Sequence, residues 1–84
     1  MFYLLLDTRQ GIYYQGQSLE EVVAACPHVG FNLVERRAVI HGKLDTIQYS
    51  QEYSDHEMRV DMAIRCIRVL LRDYAFVLYS RTIP

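Results

Sequence analysis

The side chains able to do chemistry in this sequence are few and scattered. Two cysteines, Cys26 and Cys66, and three histidines, His28, His41 and His56, are present, with His28 two positions beyond Cys26. A Cys–His pair works as nucleophile and base only when a third group orients the base and donors await the oxyanion. Nothing in the sequence around either cysteine supplies that orienting group. Structural zinc needs four ligands at recognised spacing, and neither CxxC nor HxxxH occurs. The carboxylate pairs suited to acid–base work are Glu20 with Glu21 and Glu57 with Asp61. Both stand where helices are expected to begin, and the positive end of the helix dipole stabilises carboxylates there without any catalytic role. Gly11, Gly16, Gly30 and Gly42 occur singly, so no GxGxxG or Walker loop is formed to cradle phosphate. The expectation is a non-enzymatic protein with no catalytic residues, no metal site and no cofactor.

The elements that position these residues can be read from spacing. Phe2 to Asp7 is an apolar run, Thr8-Arg9-Gln10-Gly11 breaks it, and Ile12 to Gln15 resumes it, which predicts a hairpin. Ser18-Leu19-Glu20-Glu21 is a capping box, and it opens a short helix over Leu19 to Cys26 that Pro27 ends. Residues 31–52 read as a second hairpin: Asn32 to Ile40, a turn at His41-Gly42-Lys43, and a strand from Leu44 to Glu52. Helix over Asn32 to Ile40 is the competing reading, favoured by Glu35, Arg36, Arg37 and Ala38. Ser54-Asp55-His56-Glu57 is a second capping box, opening a long helix from Asp55 to Tyr74, and Ala75 to Tyr79 reads as a last strand. The order ββαββαβ predicts one small α+β domain over residues 1–84. Its sheet is mostly antiparallel, with the short helix and the long C-terminal helix packed on one face.

Composition narrows the class further. Half of the residues are hydrophobic, 51%, against 23% charged, as folded domains require. No apolar run approaches the roughly 20 residues of a membrane span, so a cytoplasmic protein is expected. Two cysteines, far apart among apolar neighbours, read as reduced packing residues rather than a disulfide. Net charge is −1, but residues 1–35 carry −3 and residues 36–84 carry +2. Eight of the nine cations are arginine, a side chain suited to carboxylate, phosphate and aromatic contacts.

The long helix has three sectors at 100° per residue. Val60, Ala63, Ile64, Ile67, Leu70, Leu71 and Tyr74 make the expected core face. Glu57, Asp61, Arg65, Arg68 and Arg72 make a charged stripe. Met58, Met62, Cys66 and Val69 make a second apolar stripe, and methionine suits adaptable binding surfaces. One sheet needs only one stripe, so the second is read as a partner-binding or homodimer surface, rimmed by Arg59, Arg65 and Arg72. The alternative is that the helix lies in a groove and this stripe is core.

With helix over 32–40, residues 18–43 resemble the helix-turn-helix of small phage repressors, with Val29-Gly30-Phe31 as the turn. That resemblance implies a DNA-binding regulator in which Asn32, Arg36 and Arg37 face the major groove and Lys43 meets phosphate. The pattern is departed from at Pro27 and Arg36, and the basic excess usual for DNA binding is missing. The leading expectation is therefore a small protein-interaction module. It would be a regulator, adaptor or inhibitor of the kind phages and mobile elements encode, docking to a protein or to its own copy.

Overall fold

The computed structural model describes residues 1–40 and 46–82. The expected turn at 41–43, and with it Lys43, lies outside the described residues. In chain order the elements are β1 (Phe2–Asp7), β2 (Ile12–Gly16), α1 (Leu19–Ala25), β3 (Val29–Asn32), β4 (Arg37–Ile40), β5 (Thr46–Gln48), α2 (Asp55–Asp73) and β6 (Phe76–Arg81). The fold is α+β. The strands form two antiparallel three-stranded sheets, ordered β2-β1-β6 and β3-β4-β5, called sheets A and B below.

Local chemistry explains most of these boundaries. Asp7 ends β1 and turns the chain: its Oδ1 accepts from the amides of Arg9 and Gln10, and Gly11, at φ +69°, supplies the left-handed step into β2. Ser18 caps α1 by accepting from the Glu21 amide at 3.1 Å, and Glu21 reaches back to the Gln17 amide at 2.8 Å. The second capping box forms as well: Ser54 Oγ accepts from the Glu57 amide at 3.1 Å and donates to the Glu57 carboxylate at 3.0 Å. At the far end of α2, Ala75 takes φ +58° and sends the chain back along sheet A as β6.

Residues 32–40 are not a helix, so the second helix of a helix-turn-helix does not form. Val29-Gly30-Phe31 belong to β3, which pairs with β4 in the register Asn32↔Arg37. The turn between them is closed by Asn32 Oδ1 accepting from the Glu35 amide at 2.9 Å, and it ends at Arg36 with φ +59°. Asn32 and Arg37 form a cross-strand pair, whereas Arg36 is turned inward and buried. The side chains proposed to read a DNA groove therefore do not share one presenting helix face.

The core unites α2 with everything else. Leu5, Val22, Val23, Cys26, Ala38, Ile40, Met58, Met62, Ala63, Cys66, Ile67, Leu70 and Phe76 are buried together. Helix α2 packs on β6, on α1 and on β4, while α1 packs on β2, β1 and β3. The chain measures 35 × 34 × 17 Å. A thickness of 17 Å accommodates a sheet and one layer of helix, since packed layers stand about 10 Å apart. Among the described residues no element is seen to pack on the other side of sheet A.

Candidate functional site

The second apolar stripe of α2 is core. Met58, Met62 and Cys66 are each at most 1% exposed, and Val69 packs against the same cluster. Sequence periodicity divided one broad sector into two. Plotted at 100° per residue, the apolar arc runs about 240°, from Met58 through Met62, Cys66, Leu70, Ala63 and Ile67 to Val60, Leu71 and Ile64. Such an arc suits a helix lying in a groove, with sheet A below, α1 at its side and β4 beyond. Solvent reaches the opposite end of the arc instead: Val60 and Leu71 are partly exposed. The arginines expected to rim an interface are dispersed. Arg59 stands with Glu20 and Glu21 at a cleft of about 210 Å³ floored by Ala24, Phe31, Leu33 and Met62. Arg65 bonds Asp61 at 3.2 Å and lies over the Tyr49 ring, and Arg72 bonds Asp73. Tyr49 donates to Asp61 and meets Tyr53 edge-on, which fastens the segment before α2 to the helix.

The surface that stands out lies elsewhere. Alternate residues of a strand face opposite sides, so the registers assign each side of both sheets. On sheet A, Leu5, Tyr14 and Leu78 face the helices. Leu4 and Leu6 of β1 face away, aligned with Tyr13 and Gln15 of β2 and with Val77 and Tyr79 of β6. Phe2 and Arg81 complete the far end of that side. Tyr13 is 55% exposed, Tyr79 52% and Val77 39%. Beside Phe2 and Leu4, Tyr79 and Arg81 border a shallow hollow of about 260 Å³. Sheet B provides an internal comparison. Its outward residues, Asn32, Arg37, Gln48, Gly30 and Val39, are mostly polar or without a side chain, while Val29, Phe31, Ala38, Ile40 and Ile47 turn inward. One sheet of the molecule has a face made for water and the other does not. The sequence signal was the unbroken apolar run Phe2 to Leu6, where a half-buried strand would alternate.

The groups considered for catalysis come partly together. His28 Nε2 lies 3.6 Å from Asp7 Oδ2, and its ring meets Phe76 and Tyr74 edge-on. Asp7 is thus a carboxylate neighbour of His28 that sequence reasoning missed, because it stands far from His28 in the chain. Cys26 lacks the complementary preparation. Its thiol is pushed up by burial, which outweighs a hydrogen bond from the His28 amide, and the charge of Asp7 pushes it further the same way. A nucleophilic thiol needs the opposite shift. Cys66 is pushed up to about 12 by burial and then by the nearness of Cys26, and both cysteines are free. Among the described residues no group of three or more His, Cys, Asp or Glu is placed to hold a metal. No helix of the described residues is long and apolar enough to cross a membrane.

These raised values set the response to alkali. Cys66, Cys26, Tyr49 and Tyr14 all hold their protons more tightly when folded than an exposed group does, chiefly through burial. The unfolded chain therefore loses protons first, so stability is intact below about pH 9 and falls as pH rises toward about 12. Urea denaturation at a series of pH values should show this alkaline limb, and Cys66→Ala should make it shallower. A limb of unchanged slope in Cys66→Ala would show that the buried thiol does not contribute to it.

No protein-family model, no curated protein and no solved structure matches this chain.

Proposed function

We propose that this chain is a small protein-interaction module whose docking surface is the outer face of sheet A. The observation that carries the reading is the contrast between the two sheets: apolar Phe2, Leu4, Leu6, Val77 and the rings of Tyr13 and Tyr79 on one, mostly polar side chains beside Val39 on the other. Contiguous exposed apolar surface mixed with tyrosine is characteristic of interaction sites. A module that changes another protein by occupying its surface acts as a regulator, adaptor or inhibitor, the mode of many small accessory proteins of phages and mobile elements.

The double variant Leu4→Lys/Tyr79→Lys tests the surface. Both residues face away from the core, so the variant should keep the wild-type circular dichroism spectrum and lose little stability. Proteins retained from an extract of the source organism, and the solution mass of the isolated chain, are compared for the two forms. Loss of a retained protein or of self-association in the variant is the expected result. A variant that keeps every interaction of the wild type, or a wild type that has none, overturns the reading.

A further inference from the structure

We propose that the cleft between α1, α2 and β3 binds a free α-amino acid with an aliphatic side chain, its ammonium on Glu20 and its carboxylate on Arg59. The site is separate from the outer face of sheet A and does not depend on it. Helical spacing builds two of its walls. Glu20 and Ala24 stand one turn apart on α1, and Arg59 and Met62 stand one turn apart on α2. Phe31 of β3, with Leu33 just beyond that strand, closes the third side. The two helices pack on each other and α1 packs on β3, so all three walls belong to one core. The space between them is about 210 Å³, and apart from Glu20, Glu21 and Arg59 its lining is wholly apolar.

Size and charge select the ligand. Sites for drug-sized molecules enclose roughly 300–1,000 Å³, so this smaller cleft suits a single side chain and the groups at its base. Its apolar lining favours aliphatic carbon. Charges of both signs border it, and they differ in what they already hold. The Glu21 carboxylate is engaged, because it accepts from the Gln17 amide at 2.8 Å. Neither Glu20 nor Arg59 has a side-chain partner among the described residues, and the two form no ion pair with each other although they border the same cleft. A carboxylate accepts from an ammonium, and a guanidinium fork holds a carboxylate. An α-amino acid carries ammonium, carboxylate and aliphatic chain on one carbon, and so meets Glu20, Arg59 and the apolar lining together. A peptide does not: its first residue offers only the ammonium, its last only the carboxylate, and an internal residue neither.

The test is a titration of the intact, isotope-labelled chain with L-leucine, followed by amide-correlation NMR. The amides of Glu20 to Ala24, Phe31 to Leu33 and Arg59 to Met62 should shift saturably with a midpoint on the order of 1 mM, while those of Leu4 and Tyr79 stay in place. Alanine, which buries fewer carbons, should bind about tenfold more weakly or worse. Leucinamide keeps the ammonium alone and N-acetylleucine the carboxylate alone, and each should lose about tenfold or more. Glu20→Gln and Arg59→Gln should weaken leucine by a similar factor, and Ala24→Leu should fill the cleft and abolish the shifts. Ala24 and Arg59 are exposed and Glu20 is half-buried, so all three variants should keep the wild-type circular dichroism spectrum. Leucinamide or N-acetylleucine binding as tightly as leucine overturns the zwitterion and leaves a peptide terminus as the occupant. No saturable shift up to about 20 mM leucine, or shifts that survive Ala24→Leu, overturns the site. The outer face of sheet A is decided separately, by the Leu4→Lys/Tyr79→Lys comparison.

Discussion

Met62→Asp should abolish the native fold at neutral pH, giving a random-coil far-ultraviolet spectrum under conditions where the wild type is folded. Met62 is fully buried between α1 and α2, close to Ala24 and Phe31. The substitution removes about 2 kcal/mol of apolar burial and forces a carboxylate into a fully buried position, at a cost of several kcal/mol more. A domain of this size holds only about 5–10 kcal/mol in total. Met62→Leu conserves volume and should cost less than about 1.5 kcal/mol, which separates charge from shape. A folded Met62→Asp monomer would return this stripe to the surface and revive it as a docking site. The matched Tyr79→Asp, on the outer face of sheet A, should remain folded.

How far the sequence led depended on whether the deciding interaction was local. Both capping boxes appear where Ser18 and Ser54 announced them, because a cap needs only residues three apart. The first hairpin is equally local: Asp7 and Gly11 carry the whole turn. The faces of α2 were harder. Periodicity reports which directions around a helix are apolar, but not how many neighbours wait in those directions. With α1 and β4 adding walls beside sheet A, Met58, Met62 and Cys66 became core and the arc's other margin, Val60 and Leu71, emerged. The β3–β4 turn was obscured by its own chemistry. Its left-handed position, where glycine or asparagine is the usual signal, is held by Arg36, so a helix-favouring stretch conceals a hairpin.

The site was legible only in part, for a related reason. The run Phe2 to Leu6 reads as a strand buried on both sides, and only the sheet order shows that the helices cover one side. Tyr13 and Tyr14, adjacent on β2, face opposite sides of the sheet, and Tyr13 is the exposed one. Which strand edge remains open depends on strand order, set by the pairing of β1 with β6 across nearly the whole chain. Such non-local pairings leave no short-range mark. The outer face of sheet A follows from the same topological fact, that β1 is central.

Arg36→Ala should lower stability by about 3–5 kcal/mol, the second largest effect expected here. The residue is 6% exposed, although arginine is almost never buried without partners. Its guanidinium donates from Nε and Nη2 to the Ser50 carbonyl at 3.2 and 2.9 Å, from Nη2 also to the Tyr53 carbonyl, and from Nη1 to Asp55 at 3.0 Å. Its own carbonyl accepts from the Tyr49 amide at 2.9 Å. Arg36 thus binds both ends of the segment that leads from β5 into the N-terminus of α2. The Asp55 bond adds little, because that carboxylate is 81% exposed and screened by water. The cost comes from the carbonyls, which lose a charged donor. Arg36→Lys cannot reproduce the planar fork and should recover only part of the loss. Arg36→Gly discriminates between two accounts of the position. If the residue mattered only for its φ of +59°, glycine would relieve about 1–2 kcal/mol of left-handed strain and match or exceed the wild type. If the guanidinium ties the segment down, glycine should fall well below Arg36→Lys and near Arg36→Ala. Denaturation midpoints of the four proteins, at equal slope, distinguish the two, and the bonds to Ser50 and Tyr53 lead us to expect the second order.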